Sequence, residues 1–343
     1  MRPDPRVARH GPILAALLLA PLLLTLPATA GAQTVDGESV TERLQILAED
    51  NAKRYLHPVA SGLGAGLNAG FFETAGSDDG IRVRGGVQVS GSLIPESGDT
   101  FRPILPETFT YRDRTFDDPY VIQGGATTSP TAAGEGDGVL LVPSDELEQA
   151  IRDAGENPSD FEIAFPGGFE IPAVPLVMGE ASLQLPTGTG AMVRFLPEID
   201  LSDEVGPISS YGFGLRQSVT TFLPRSPVDV AVAAGYQKLS LGDIVDASGT
   251  SVDVTVSKDL DVITVFASGG FEDTSVDVTY TFDNPTNIPG QPADGEEISF
   301  EDDGENSSRF TGGVQVNLFV ARLSVSYTTS AYDVLQARLS FGN

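Results

Sequence analysis

Residues 81–93 read IRVRGGVQVSGSL, a stretch in which apolar and polar side chains alternate. The odd positions carry Ile81, Val83, Val87, Val89 and Leu93, and the even positions carry Arg82, Arg84, Gln88, Ser90 and Ser92. Successive side chains of a β-strand point to opposite faces. The period of two therefore predicts a strand with one apolar and one polar face.

The same alternation returns along most of the chain, for example in VDVAVAAGY (228–236) and SVDVTYTFD (275–283). About twelve segments show it: 63–73, 80–94, 180–186, 189–197, 208–222, 228–240, 251–258, 261–271, 274–283, 310–319, 322–329 and 332–342. Several segments exceed nine residues. Strands of soluble sandwiches are mostly ~5–6 residues long, whereas a strand that crosses a bilayer needs ~9–11.

Long strands with a regular apolar face favour a membrane-spanning sheet, because hydrocarbon offers no hydrogen bonds and a closed barrel pairs its backbone internally. The sequence predicts an all-β fold, an antiparallel up-and-down transmembrane β-barrel of about twelve strands, alternatively fourteen, with an N-terminal helix. In this barrel Val278 and Tyr280 face lipid, while Asp277 and Thr279 face the lumen. The rival fold is a soluble periplasmic β-sandwich.

The first 32 residues have the pattern of a cleaved secretory signal peptide. Arg2, Arg6 and Arg9 precede an apolar run over 13–26, and the small residues of 28–32 fit a cleavage site. The run is shorter than the roughly 20 residues of a membrane-spanning helix. Export and the strand pattern together predict an outer-membrane protein, with membrane lipid and the barrel-assembly machinery as partners.

The chain has a net charge of −28 and no cysteine. This acidity excludes nucleic-acid binding by phosphate neutralisation, and the lack of cysteine excludes disulfides. The acidic region 284–308 reads as a long external loop, which is either simply solvated or binds divalent cations through its carboxylates. No cofactor and no defined metal site are predicted.

A helix is predicted over 39–57, where Ser39 and Glu42 form a capping box and Pro58 ends the apolar stripe. Within a region 33–60, this helix is expected to plug the periplasmic mouth of the barrel; the alternative is a helix that lies on a surface. The barrel domain follows at 61–343.

Residues 96–178 are rich in Pro, Gly and Thr and are predicted as a long loop or hatch inserted into the barrel. Counted back from a periplasmic C-terminus, 272–274 and 319–321 become short periplasmic turns. The same count puts 96–178 on the periplasmic side, where it either hides further strands or folds into the lumen.

Four stretches are similar to a family of secreted bacterial outer-membrane barrel proteins with no assigned function. They are LAEDNAKRYLHPVASGLGAGLNAGFF (47–72), LPTGTGAMVRFLP (185–197), YGFGLRQSVTTFLP (211–224) and PVDVAVAAGYQ (227–237). The resemblance implies a barrel and no particular chemistry. The C-terminal VLQARLSF (334–341) resembles the signal that the barrel-assembly machinery reads, with Phe341 as its aromatic residue. In layout alone, the chain is also similar to outer-membrane transporters of fatty acids and other hydrophobic compounds.

The polar faces of the predicted strands supply the candidate lumen and selectivity residues, which are Arg82, Arg84, Arg194, Arg216, Arg338, Asp229, Asp253 and Asp277. One interpretation is an arginine eyelet that selects anions or orients a carboxylate head group. The alternative is that the arginines pack against the aspartates in ion-pair ladders.

An enzyme is not predicted. The two histidines are His10, in the leader, and His57, which stands beside Pro58 at the predicted helix end and not on the barrel wall. His57 is interpreted as a helix C-terminal cation that the helix dipole stabilises. The predicted function is passive passage of small molecules, including hydrophobic ones, through the barrel. The alternative is a sealed structural or surface-display barrel without transport.

Overall fold

The computed structural model describes residues 47–77, 80–202, 206–223, 226–282 and 293–342. The predicted signal peptide and residues 39–46 of the predicted helix lie outside these residues. In chain order the elements are α1 (Glu49–Asn68), β1 (Arg82–Leu93), β2 (Thr100–Phe101), β3 (Thr108–Tyr111), β4 (Arg114–Asp117), β5 (Tyr120–Ile122), β6 (Ser129–Pro130), β7 (Leu140–Pro143), α2 (Asp145–Asp153), β8 (Ile163–Ala164), β9 (Ala173–Gln184), β10 (Thr189–Ser202), β11 (Gly206–Ser218), β12 (Asp229–Leu241), β13 (Val245–Leu260), β14 (Ile263–Thr281), β15 (Glu297–Asp303), β16 (Ser308–Leu318), β17 (Ala321–Thr329) and β18 (Val334–Gly342).

Ten strands close into an antiparallel barrel. Around the wall they follow the order β1, β9, β10, β11, β12, β13, β14, β16, β17 and β18. β18 pairs with β1 and β13 pairs with β14, so the sheet has no open edge between wall strands. The predicted antiparallel barrel is confirmed and the sandwich is excluded, but the predicted counts of twelve and fourteen strands are wrong.

Two misread segments explain the difference in strand number. Residues 63–73 do not form a strand, because α1 continues to Asn68 and the chain then runs inside the barrel. Residues 261–271 and 274–283 belong mainly to one strand, β14, which is 19 residues long. Since ~9–11 residues suffice to cross a bilayer, a strand of this length extends well beyond the wall that its neighbours form.

Both long connections between wall strands lie at one end of the barrel. The end that holds the start of β1 and the end of β18, here the C-terminal end, carries the connections 185–188, 219–228, 261–262 and 319–320. The other end, here the cap end, carries the insert 94–172 and the connection 282–307, together with the short connections 242–244 and 330–333. The prediction that 96–178 shares a side with the C-terminus is therefore wrong. The sequence analysis predicted a turn at 272–274, where the structure has the continuous strand β14. This extra turn reversed the predicted side of every connection that precedes it in the chain.

The outer face of the wall is a continuous apolar belt. Large apolar side chains that point outward and are exposed include Val83, Val87, Val177, Leu183, Val193, Phe195, Phe213, Leu215, Val232, Val252, Val254, Val256, Val265, Phe271, Phe310, Val314, Val325, Leu335 and Phe341. The alternate positions point inward and are mostly small, polar or charged, with a few buried apolar side chains such as Met178, Met192 and Phe266. The two-faced strands predicted from 81–93 and 228–236 are thus present.

β14 leaves this belt after Phe271, and the stretch 275–283 does not follow the predicted orientation. The outward side of β14 is apolar up to Phe271 and polar from Asp273 onward. Beyond that point Val278 and Tyr280 are buried on the inner side, while Asp277 is exposed on the outer side. The polar face of 275–281 therefore meets solvent outside the belt, and the apolar face of 276–282 packs on the cap.

The insert forms a folded cap and not the predicted long loop or hatch; the alternative that 96–178 hides further strands describes it better, although β2–β8 do not join the barrel wall. Strands β2–β8 and α2 pack against α1 and against the β14–β15 extension. Their shared apolar core includes Tyr55, Phe109, Phe116, Leu141, Leu147, Ile151, Phe165, Tyr280 and Phe300. The Asn51 side chain exchanges two hydrogen bonds with the backbone of Ile104, which fixes the insert to α1.

Helix α1 does not end at Pro58, as predicted, but continues for ten further residues. A proline inside a helix costs ~3 kcal/mol, and the burial of its surroundings offsets this cost. Pro58 is buried against Gly98 of the insert, and most residues from Ala60 to Asn68 are buried in the barrel mouth. Tertiary packing, rather than local propensity, sets this helix end.

A filled lumen and a histidine cleft as candidate sites

The N-terminal segment runs along the whole lumen. The last turn of α1 lies in the mouth at the cap end, where Asn68 Nδ2 donates to Thr274 Oγ1 at 2.9 Å. Residues 69–77, here the threaded segment, continue toward the C-terminal end. There Ala75 N donates to Ser257 Oγ at 2.9 Å, and Thr221 Oγ1 donates to Ser77 Oγ at 3.0 Å. This arrangement differs from the predicted plug by helix 39–57 at the periplasmic mouth, because the residues in the lumen are the end of α1 and the threaded segment, and α1 enters from the end opposite the C-terminus.

Glycines allow the segment to approach the wall closely. A Cβ on Gly64 of α1 would lie 2.4 Å from Thr274 Cγ2, and a Cβ on the wall residue Gly235 would lie 2.3 Å from the ring of Phe71. Contacts this short would force the segment or the wall to shift. The motif GLGAGLNAG (62–70) is therefore a packing motif at the barrel mouth.

Three wall arginines hold the backbone of the threaded segment. Arg194 donates to the carbonyl oxygens of Ala69 and Gly70 at 2.7 and 2.5 Å. Arg338 donates to Gly70 O at 2.7 Å. Arg216 donates to the carbonyls of Thr74 and Gly76. These bonds satisfy carbonyls that lack strand partners, so the arginines act as latches between wall and segment.

A buried ion-pair cluster lies beside the latches. Arg309 forms a two-point bond to Asp253, at 2.9 and 2.5 Å, pairs with Glu272 at 2.8 Å, and donates to Asn68 O. Arg338 pairs with Glu180 at 3.1 Å and with Glu73 of the threaded segment at 3.5 Å. Opposite charges in a low-dielectric lumen are stable only when paired in this way.

The sequence missed four members of this cluster for identifiable reasons. Arg309 stands one residue before the predicted strand 310–319, Glu272 falls in the false turn 272–274, and Glu73 ends the false strand 63–73. Glu180 opened the predicted strand 180–186 and was passed over. Strict extension of the alternation by one residue would have found Arg309.

The predicted lumen residues separate into three groups. Arg194, Arg216, Arg338 and Asp253 lie in the lumen. Arg82 and Arg84 lie at the C-terminal mouth, where they line a pocket of ≈ 150 Å³ with Arg322. Asp229 accepts a hydrogen bond from Thr220 near that mouth at 3.3 Å. Asp277 is not a lumen residue, because β14 carries it outward beyond the wall. A selective role for these residues stays a prediction.

Phe341 occupies the position that an assembly signal needs. It points outward from the last strand, is 53% exposed, and stands opposite Gly85 of β1 and Ala321 of β17. Recognition by the assembly machinery stays a prediction. The acidic region is only partly a loop, because Glu297–Asp303 form β15. Among the described residues no group of three or more His, Asp or Glu side chains is arranged to hold a metal.

A second candidate site is a cleft in the cap, here the His57 cleft, with a volume of ≈ 420 Å³. Its lining includes Lys53, Arg54, His57, Phe101, Asp302 and Glu305. His57 Nδ1 donates to Asp302 Oδ2 at 2.9 Å, and Nε2 donates to Glu305 Oε1 at 3.0 Å. The bond to Asp302 is the main reason why the pKa of His57 is raised to about 9.

His57 is therefore a protonated imidazolium at neutral pH. It does not stand at a helix end, as predicted, because α1 runs on to Asn68. Two carboxylates stabilise its charge instead of the helix dipole. No local sequence pattern predicts this contact, since His57 and Asp302 are 245 residues apart.

The comparisons with known proteins bear on the family and the fold. The model of a family of unknown function, DUF6588, matches residues 12–343. The chain belongs to this family. The resemblance to a barrel family with no assigned function is thereby confirmed. No curated protein matches the DUF6588 chain. In the described part, none of its helices is both long and apolar enough to cross a membrane.

Solved outer-membrane proteins are similar to this DUF6588 protein at low identity. The protease OmpT of Escherichia coli shares 8% identity, with 80% of this chain and 99% of that chain covered and a TM-score of 0.32. Ail of Yersinia pestis shares 9%, over 76% and 95% of the two chains, with a TM-score of 0.22. The toluene transporter TbuX of Ralstonia pickettii shares 10%, over 85% and 92%, with a TM-score of 0.20.

Proposed function

We propose that this DUF6588 protein is an outer-membrane barrel, closed by its own N-terminal segment, that presents a folded cap on the cell surface. The observation that carries the proposal is the threaded segment, 69–77, which four wall arginines hold inside the lumen together with the end of α1. The apolar belt on the outside of the wall supports the membrane location, because a belt of this kind is stable only against lipid.

The two barrel ends support the orientation. Outer-membrane barrels have short periplasmic turns and longer extracellular connections. The short turns 185–188, 261–262 and 319–320 lie at the C-terminal end, and the 79-residue insert lies at the cap end, with 94 and 172 as its first and last residues. The cap is accordingly expected to face the medium.

The contents of the lumen support a closed barrel. The cavity between the threaded segment and the wall, beside Glu73, Arg216 and Arg338, measures only ≈ 70 Å³. This volume is well below the range of about 300–1,000 Å³ that is typical of small-molecule sites. Displacing the segment would leave several buried charges without partners, each of which is costly in a low-dielectric interior.

Passive transport is the second candidate, and the polarity of the lumen favours it. The threaded segment is held by hydrogen bonds and ion pairs, which water and a polar solute could replace, and not by an apolar core. The pocket with Arg82, Arg84 and Arg322 forms a vestibule at the C-terminal mouth. Transport on this scheme requires the segment to move.

Conductance measurements on a variant with a reducible disulfide distinguish a closed barrel from a passive transporter. Because the chain has no cysteine, Ala75→Cys with Ser257→Cys would form a single disulfide that ties the segment to the wall. We expect no conductance in planar bilayers from the wild type or from the locked variant. Wild-type conductance that the disulfide abolishes and a reductant restores would favour transport. The wild type, recorded with and without the reductant, is the matched control.

Surface labelling tests the orientation independently. We expect a membrane-impermeant maleimide to label Glu146→Cys, on the exposed side of α2, in intact cells. Val320→Cys, in the turn between β16 and β17, should react only after the outer membrane is permeabilised. The reverse pattern would contradict the proposed orientation.

A further inference from the structure

The His57 cleft combines space with three cations that lie close together. Its volume of ≈ 420 Å³ falls in the range of about 300–1,000 Å³ that is typical of small-molecule sites. Lys53, Arg54 and His57 lie within one turn of α1 and all line the cleft. Three carboxylates, Asp50, Asp302 and Glu305, line the same cleft, so an anion finds positive charge there only where a cation lacks a carboxylate partner.

The cleft's carboxylates do not occupy all of these cations. Asp302 is nearly buried, with 4% of its side chain exposed, and serves as the fixed counter-ion of His57. Lys53 Nζ donates to the Glu301 carbonyl oxygen at 2.6 Å, lies 4.0 Å from Asp302 and remains 47% exposed. Arg54 makes no ion pair or side-chain hydrogen bond with any residue in the described ranges. The guanidinium group of Arg54 therefore lines the cleft without a partner among the described residues.

Glu305 differs from Asp302 because its side chain can rotate away from His57. Half of its side chain is exposed, and its carboxylate is held by the one hydrogen bond from His57 Nε2. The Glu305 backbone is anchored separately, through a hydrogen bond from its N–H to Ser61 Oγ. Rotation of the side chain would free the Nε2–H of His57 without moving the main chain.

We propose that the His57 cleft binds a small organic anion, a carboxylate or a phosphate monoester, whose charged group replaces the Glu305 carboxylate. His57 Nε2 donates to the anion, and Arg54 and Lys53 supply the remaining positive charge. Charge-assisted hydrogen bonds of this kind are about twice as strong as neutral ones. Phe101, Pro58 and Tyr332 give the cleft an apolar wall for the body of the ligand.

Two sources could supply such an anion. One is a free solute from the medium, and the other is a lipid head group, since Glu305 also borders a surface pocket that reaches the exposed ring of Phe310 in the apolar belt. The site goes beyond the proposed function and depends on it only for the side of the membrane from which the ligand arrives. Binding to purified protein is independent of that orientation.

His57 itself provides the readout. In a His10→Gln protein it is the single histidine, so its imidazole signals in an NMR spectrum are assigned without ambiguity. We expect phenyl phosphate, added to the protein in uncharged detergent micelles, to shift these signals in a saturable way. Nanodiscs that contain phosphatidic acid, whose head group is a phosphate monoester, compared with nanodiscs of phosphatidylcholine alone, test the lipid source by the same signal. A response in either arm supports an anion site and identifies its source.

Two variants separate binding from folding. Arg54→Gln is expected to weaken phenyl phosphate binding about tenfold, the equivalent of one lost charged contact. Glu305→Gln is expected to strengthen binding severalfold, because the competing carboxylate loses its charge. Arg152→Gln, on the exposed face of α2, is the matched control and should leave the affinity unchanged.

Three results would overturn the proposal: no saturable response in both arms with the wild type and Glu305→Gln, equal affinity in Arg54→Gln and wild type, or weaker binding in Glu305→Gln. None of them bears on whether the barrel is closed, which the conductance and labelling experiments decide.

Discussion

Arg194 of the barrel wall covers the ring of Phe71 in the threaded segment, with its guanidinium carbon 4.0 Å from the ring centroid. The same guanidinium donates to the carbonyl oxygens of Ala69 and Gly70. One wall side chain thus recognises both the backbone and a side chain of the segment. Specific contacts of this kind hold the threaded segment in the lumen.

Loss of this contact should destabilise the barrel. In Arg194→Met the Ala69 carbonyl loses its donor, the Gly70 carbonyl keeps only the bond from Arg338, and Phe71 loses a cation, for an expected cost of about 2–4 kcal/mol. The check is the temperature at which the unheated, faster-migrating form disappears on SDS gels, which should fall. Arg114→Met, which removes an exposed arginine over Phe116 in the cap, is the control. An unchanged transition in Arg194→Met would contradict the latch role.

A side chain at Gly235 should block threading. Its Cβ would lie 2.3 Å from the ring of Phe71, and overpacking typically costs about 1–3 kcal/mol. We expect Gly235→Val to lower the yield of folded barrel on refolding into detergent. Gly312→Val is the control, because a Cβ there meets nothing within 4 Å. Equal yields would mean that the segment does not need this close approach.

The charge of the lumen cluster should matter more than its volume. Arg309→Met leaves Asp253 and Glu272 buried without their cation, which typically costs about 3–5 kcal/mol. Arg309→Met combined with Asp253→Asn and Glu272→Gln should recover much of the loss, because no unpaired charge remains. Resistance to chemical denaturation measures both. A triple variant as unstable as the single one would contradict the electrostatic explanation.

Asp302 should set the titration of His57. Since the folded pKa is raised from 6.5 to about 9, the stabilisation by this pair is fully present below pH 6.5 and is lost as the pH rises through about 9. Asp302→Asn removes the largest cause and should move the midpoint down toward 6.5. An NMR titration of His57 in the His10→Gln background checks this. Asp303→Asn, on the outward side of β15, should leave the midpoint unchanged.

The alternation of side chains was enough to predict an antiparallel barrel and the faces of most strands. It placed Arg194, Arg216, Arg338 and Asp253 on the lumen side, because a period of two assigns the face of every residue in a strand whatever the strand pairs with. It could not divide the chain into spans. β14 alternates without a break from the belt into the cap, and only the change from Phe271 to Asp273 on its outer side marks the crossing.

The sequence by itself thus determined the barrel class, the apolar belt and the polar lumen, because these follow from local periodicity. The tertiary structure alone decided the ten strands, the helix that continues past Pro58, the threaded segment and the pairing of His57 with Asp302. Each of these depends on contacts between residues far apart in the chain. Their free energies come from burial and charge pairing at those contacts, and no local pattern records which distant residue will be the partner.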